Sequence, residues 1–163
     1  MEGARPALPV DFPVCARLLA EARDQARSLR GGPELLAACP LRAPAPGADS
    51  ARLDEHWLAE HWTGADRVLL VGTIDGVVVG VGAGRVTTRG DGRVGVVDCC
   101  YVEAEARGVG VGTALAESLV RWFTDAGCVA LDAPALPGDR ATKQLFESQG
   151  LSARVLVLHR RLP

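Results

Sequence analysis

"YVEAEARGVGVGT", residues Tyr101 to Thr113, decides how the rest of the chain is read. An apolar, β-rich stretch ("RVGVVDCCYV") runs into it, and a helical pattern ("TALAESLVRWFTDAG") runs out of it. Between them stand three alternate glycines, Gly108, Gly110 and Gly112, flanked by Arg107. Such a junction gathers backbone N–H groups without helical partners at the positive end of a helix dipole. Glycine lets a ligand approach that backbone closely, and arginine adds a charge shaped for phosphate oxygens. The stretch reads as an anion cradle; a glycine turn kept only for tight helix–strand packing is the competing reading.

Spacing narrows the ligand. A P-loop needs Lys and then Ser or Thr after its last glycine, whereas Gly112 is followed by Thr113 and Ala114. A dinucleotide fingerprint needs GxGxxG, and Leu115 stands where its third glycine would be counted from Gly112. What fits is Arg-x-x-Gly-x-Gly, formed by Arg107, Gly110 and Gly112.

Outward from the turn, the pattern gives an ordered set of elements. Upstream, "RVLLVGTIDGVVVGVGAGRVTTRGDGRVGVVDCCYV" divides at Asp75-Gly76 and at Gly90-Asp91-Gly92 into strands over 67–74, 77–87 and 93–102. Downstream, a helix is expected over 111–126, a strand over 128–133, a helix over 140–149 and a last strand over 153–161. At the front, "RPALPV" (5–10) reads as a strand. Asp11 is the expected N-cap of a helix running to Ser28, with Pro13 in its first turn. A Pro-, Gly- and Ala-rich connection (30–50) holds a short helical turn at 34–38. A helix over 51–63, capped by Asp49 or Ser50, carries the stripe Leu53, Trp57, Leu58, Trp62. The order is β-α-α-β-β-β-α-β-α-β, an α/β chain with a central mixed, mostly antiparallel sheet flanked by helices.

Bulk properties bound the function. With 163 residues, 48 % of them hydrophobic, the chain is read as one domain with a full core. A net charge of -2 leaves no basic footprint for nucleic acid. No apolar run approaches the roughly 18 residues of a membrane span, and Asp11, Arg17 and Glu21 interrupt any signal-peptide core, so a cytoplasmic protein is expected. Five cysteines without CxxC spacing and three scattered histidines argue against a metal site.

The chain resembles the GNAT superfamily of N-acetyltransferases, whose pyrophosphate-binding motif is Gln/Arg-x-x-Gly-x-Gly/Ala. "YVEAEARGVGVGTALAESLV" matches that motif, "RPALPVDFPVCARLLAEA" is similar to the family's opening strand and helix, and "RATKQLFESQGL" to its last helix. Element order agrees, and the resemblance is weakest over 30–65. It implies a single GNAT domain over 1–163 using acetyl-coenzyme A as cosubstrate. The amides of Gly108, Val109, Gly110, Val111, Gly112 and Thr113, with Arg107, would hold the pyrophosphate. The strand edge of Cys100, Tyr101 and Val102 would pair with the pantetheine arm, and an N–H near Tyr101 would serve the oxyanion.

Acyl transfer from a thioester to an amine needs a neutral amine, and it benefits from a proton for the thiolate. Asp98 is the candidate base: period-2 alternation sets it in an apolar strand on the face of Cys100 and Val102. A structural carboxylate, bonded to an amide or an arginine, is the equal alternative. Phe146 stands where the family often has a tyrosine acid, and Asp139 where it often has asparagine. The only tyrosine, Tyr101, reads as a packing residue. Cys99 and Cys100 read as packed thiols rather than as an acyl-cysteine nucleophile.

The acceptor would be shaped by 30–63, with Asp49, Asp54, Glu55, His56, Trp57, Glu60, His61 and Trp62, although the amphipathic spacing favours a core stripe and a wet face. A small-molecule amine is expected as acceptor, ahead of a protein amine, and a homodimer is left open. The "VGVGAGRV" run (79–86) leaves room for a ligand beside the sheet, or is a weakly packed strand. A cofactor-binding or sensing module with little turnover is the rival reading, because Phe146 removes an acid.

Overall fold

The computed structural model describes residues 1–39, 41, 54–90 and 92–160. Five strands form one sheet in the order β1 (Glu2–Pro6), β2 (Arg67–Ile74), β3 (Val77–Arg89), β4 (Gly92–Val102) and β5 (Ala130–Asp132). The first four pair antiparallel, and β5 runs parallel to β4. The helices are α1 (Phe12–Arg27), α2 (Gly32–Ala38), α3 (Glu55–His61), α4 (Val111–Asp125) and α5 (Arg140–Ser148). This is the mixed, mostly antiparallel α/β sheet flanked by helices that the pattern implies.

Each face of the sheet buries one cluster. On one side Cys15, Leu18 and Leu19 of α1 meet Leu58, Trp62, Val71, Val81 and Cys99. On the other, Val111, Leu115, Leu119 and Phe123 of α4 recur at i, i+4, i+8 and i+12 and pack on Val68, Leu70, Val97 and Phe146. The glycines of β3 belong to this second layer. A Cβ on Gly82 would lie 3.3 Å from Leu115 Cδ2, and one on Gly84 2.7 Å from Phe123 Cζ. The room left by "VGVGAGRV" is therefore filled by α4 side chains.

Several expectations change. β1 lies at Glu2–Pro6 rather than 5–10, and Pro9–Asp11 is a 3₁₀ turn. Asp11 makes no cap bond to α1. Its buried carboxylate instead takes both Arg5 guanidinium nitrogens (2.6 and 3.0 Å) and the Leu8 N–H (2.8 Å). Bonding to Arg5 holds the Asp11 carboxyl below the usual carboxylate range, against a smaller opposing effect of burial. α3 starts at Glu55, with Asp54 accepting the Trp57 N–H at 2.9 Å; Asp49, Ser50 and Leu53 lie outside the described residues, as does Asp91 of the second hairpin turn. Trp62 is a core residue whose indole N–H donates to the Val68 carbonyl (3.0 Å), while Glu55 and Glu60 face solvent. The strand expected at 153–161 is absent over residues 152–160.

Candidate active site

The site begins where β4 and β5 part. Their pairing covers only Val94↔Ala130, Gly95↔Leu131 and Val96↔Asp132. β5 then ends, while β4 continues through Val97 to Val102 with β3 as its one strand partner among the described residues. On the side turned away from β3 this stretch has no neighbouring strand among the described residues, and a cleft lies beside it. Val97, Cys100 and Tyr101 line the cleft from β4; Leu136, Thr142 and Phe146 line it from the segment after β5.

A β-bulge sets the geometry at the start of that stretch. Ala83 pairs with Cys99 and Gly84 with Val97, so Asp98 is the extra residue. The bulge breaks the alternation on which the expected placement rests. Asp98 does not share the face of Cys100 and Val102: Cys39 Sγ donates to its Oδ1 at 3.3 Å, on the side of α1 and α2, where Cys99 and Tyr101 also pack. The Arg85 guanidinium pairs with the same oxygen. Oδ2 is buried with no hydrogen-bond partner among the described residues.

At its far end the stretch runs into the turn. Gly108 (φ +81°) and Gly110 (φ +97°) occupy the left-handed region, which glycine reaches without strain. Gly110 is the N-cap of α4, and the first intrahelical bond is Ala114 N–H to the Gly110 carbonyl (3.0 Å). The N–H groups of Val111, Gly112 and Thr113 therefore point out of the helix start. Arg107 is held in place from three sides. Nε donates to the Val102 carbonyl and NH2 to Gln25 Oε1, both at 2.9 Å, and the guanidinium lies 5.6 Å from the Tyr101 ring centroid. Tyr101 in turn donates to Glu21 Oε2 at 3.3 Å. Burial first, and the nearby Glu21 second, raise the Tyr101 phenol above its ordinary value.

A stretch with no neighbouring strand among the described residues, leading straight to amides at a helix start, can receive one extended ligand: a β-like arm along Val97–Val102 and an anion at its end. A sequence model of the acetyltransferase (GNAT) family matches residues 34–151. The chain belongs to the GNAT family. A comparison with curated proteins finds no match. Solved structures give likeness of fold at low identity. An acetyltransferase of Trypanosoma brucei is 20 % identical, with a TM-score of 0.65 over 99 % of this chain and 100 % of that one. Glucosamine-6-phosphate N-acetyltransferase of Arabidopsis thaliana is 16 % identical, with a TM-score of 0.66 over 100 % and 99 %. A ribosomal-protein-alanine N-acetyltransferase of Brucella melitensis is 21 % identical, with a TM-score of 0.67 over 99 % of each.

In this GNAT chain, Cys100, Tyr101 and Val102 lie on the stretch of β4 beyond β5, and Gly108 to Thr113 form the turn and helix start that continue it. Arg107 is turned back toward β4 and α1, bonded to protein acceptors. Asp139 caps α5, accepting the Thr142 N–H at 3.1 Å at the rim of the cleft. Phe146 is a buried wall of the same cleft. Glu55, Glu60 and His61 are exposed on α3, away from the cleft lining; His61 stacks on Trp57 with centroids 4.9 Å apart. Pattern reading missed Glu21 and Gln25, which α1 contributes from about eighty residues away, with no local signal to mark them.

Proposed function

We propose that the chain transfers an acetyl group from acetyl-coenzyme A directly to the primary amine of a small molecule. The observation that carries this is the stretch of β4 from Val97 to Val102, which has no neighbouring strand beyond β5 on its outer side among the described residues and leads into the amides that open α4. The pantetheine arm, which carries amides of its own, would bond to that stretch. The pyrophosphate would sit on the N–H groups of Gly108 to Thr113, where the helix dipole favours negative charge. Acetyl-coenzyme A would supply the activated thioester, and the protein would hold it and place the amine.

Asp98 is the proposed base. Arg85 and Cys39 fix Oδ1, which leaves Oδ2 to take the amine proton through one intervening water. Phe146 offers no proton to the departing thiolate. A thiol of pKa about 8.5 departs acceptably without an acid near neutral pH. The small-molecule acceptor is supported by the fold's likeness to enzymes of sugar phosphates and aminoglycosides. It also accords with a cleft walled closely by side chains of α1, β4 and α5. No helix among the described residues is long and apolar enough to cross a membrane, and we place the reaction in the cytoplasm.

Phe146 favours one second reading, a module that binds the cofactor and turns it over little. A thermal-shift titration with acetyl-coenzyme A, with ATP and NAD as controls, followed by turnover across an amine panel, tests both. Ligand at a hundred times its dissociation constant stabilises by about 2.7 kcal/mol, an easily seen shift. A specific shift with turnover is the expected result; a shift without turnover selects the binding module, and no shift removes both.

A further inference from the structure

The cleft is not confined to the face of the sheet that α4 covers. Val97, Cys100 and Phe146 in its lining belong to the cluster packed on α4, whereas Cys99, Tyr101 and Ala22 belong to the cluster packed on α1. It therefore passes round the outer side of β4, from one face to the other. The turn at Gly108–Thr113 opens α4, and the Asp98 carboxylate lies on the side of α1 and α2. A cofactor laid along β4 from that turn leaves the α1/α2 half for the acceptor.

Three leucines reach that half from three separate segments: Leu29 just past α1, Leu35 in α2 and Leu136 between β5 and α5. All three are half-buried, and none of them packs in either core cluster. The two connections meet there, since a Cβ on Gly31 would lie 3.6 Å from Leu136 Cδ2. Ala22, Ala26 and Leu29 stand at i, i+4 and i+7, so this end of α1 turns an apolar face to the cleft. Leucines set on a cleft rather than in a core offer apolar area for a ligand to cover.

Charge narrows the ligand further. Among the described residues, the lining holds no lysine, arginine or histidine, and Asp139 is its one carboxylate. Asp139 Oδ1 already accepts the Thr142 N–H at 3.1 Å, and Gln25 Oε1 accepts from Arg107 at 2.9 Å. A phosphate on the acceptor would meet no cation in that lining. An acceptor with several ammonium groups would find too few carboxylates to pair them, and taking an unpaired charge out of water is costly.

We propose that the acceptor is a primary monoamine with an apolar body, aliphatic or aromatic, and that Leu29, Leu35 and Leu136 select it. The body lies among the three leucines, and the amino group points toward β4, where the thioester is placed. This rests on the acetyltransferase reading and supplies what that reading leaves open, the class of amine.

Phenylethylamine, putrescine and glucosamine 6-phosphate, offered to the full chain, test this in two ways. The first is binding, followed by NMR of the leucine methyls with coenzyme A present. Phenylethylamine is expected to shift the methyls of Leu29, Leu35 and Leu136 saturably, and the other two amines are not. The second is turnover with acetyl-coenzyme A and with hexanoyl-coenzyme A. With acetyl-coenzyme A, kcat/KM for phenylethylamine should exceed that for either other amine about tenfold or more, the scale of one or two methylenes in an apolar pocket. Leu136→Glu sets a carboxylate in the wall, and because Leu136 is half-exposed in a connecting segment the fold should survive, as circular dichroism checks. That variant is expected to lose about tenfold in kcat/KM for phenylethylamine and little for putrescine, with the KM for acetyl-coenzyme A within about twofold. Leu35→Gln, on a different element, is read in the same way if Leu136→Glu does not fold. Unmoved methyls overturn the proposal, and so does equal or better use of putrescine or the sugar phosphate. A loss that falls on every amine alike also overturns it, as does one confined to hexanoyl-coenzyme A, which would give the leucines to the acyl chain. Shifted methyls without turnover of any amine uphold the pocket's preference and count against the acetyltransferase reading alone.

Discussion

Arg107 reaches back across the turn between β4 and α4 and donates from Nε to the Val102 carbonyl at 2.9 Å. The bond joins residues five positions apart and fixes where the strand ends relative to the helix start. Its second bond, to Gln25 Oε1 at 2.9 Å, ties the same turn to α1. A guanidinium suits this because its planar fork presents several donors in fixed directions. Arg107→Ala is expected to raise the KM for acetyl-coenzyme A about tenfold, one to two charge-assisted hydrogen bonds' worth, with kcat within a factor of three. Arg107→Lys should recover little, since one ammonium cannot reproduce the fork. Steady-state kinetics with varied cofactor checks this, and an unchanged KM in both variants would remove Arg107 from the cradle.

Gly110 has φ +97°, and a Cβ there would lie 3.3 Å from Glu2 Cγ. Gly110→Glu combines backbone strain, crowding against β1 and a carboxylate where the pyrophosphate is placed. Loss of measurable coenzyme A binding by calorimetry is expected, with the fold retained by circular dichroism. Retained affinity would sink the placement of the phosphates.

How much of this was legible differs by element. β2, β3, β4 and α4 follow their hydrophobic periods, and the glycine turn names the family. The face of Asp98 was not legible, because "VVDCCYV" is apolar in both phases and a bulge shifts the phase without altering the pattern. Glu2–Pro6 contains no β-branched residue; pairing with β2, not propensity, makes it a strand. The glycines of β3 read as space for a ligand because the residues filling that space, Leu115, Leu119 and Phe123, come three dozen residues later.

That filled space carries its own prediction. A Cβ on Gly95 would stand 2.5 Å from Phe123 Cδ1, and Phe123 is fully buried with its ring edge-to-face on Trp122. Gly95→Val should destabilise by about 3 kcal/mol or prevent folding, since overpacking a closed site forces backbone movement. Gly3→Ala is the control: its Cβ would meet only Thr73 Oγ1, at 3.9 Å. Chemical denaturation separates the two, and equal stabilities would contradict the close packing of α4 on the sheet.

Asp98→Asn tests the proposed base while keeping shape. Turnover should fall about a hundredfold, the lower range for a general base, with little change in acetyl-coenzyme A affinity. Substitution weakens the Arg85 pair in either role of Asp98, so the melting temperature falls in both and turnover of the folded variant separates them. Equal turnover in both forms from pH 6 to 9 would rule out the base.

Tyr101 is the only tyrosine in the chain, so its ionisation can be followed by absorbance without ambiguity. Burial and then the neighbouring Glu21 both disfavour the phenolate, so the folded-state pKa is raised above 10. The sign follows directly: the neutral phenol stabilises the fold below the unfolded value of about 10, and that contribution is lost as pH rises through the folded value. The titration midpoint should lie above that of the denatured chain. Glu21→Gln should move it down but not restore it fully, because burial, the larger cause, remains. A midpoint equal in folded and denatured protein would mean that Tyr101 is not packed between α1 and the Arg107 guanidinium, and the link from α1 to the turn would fail with it.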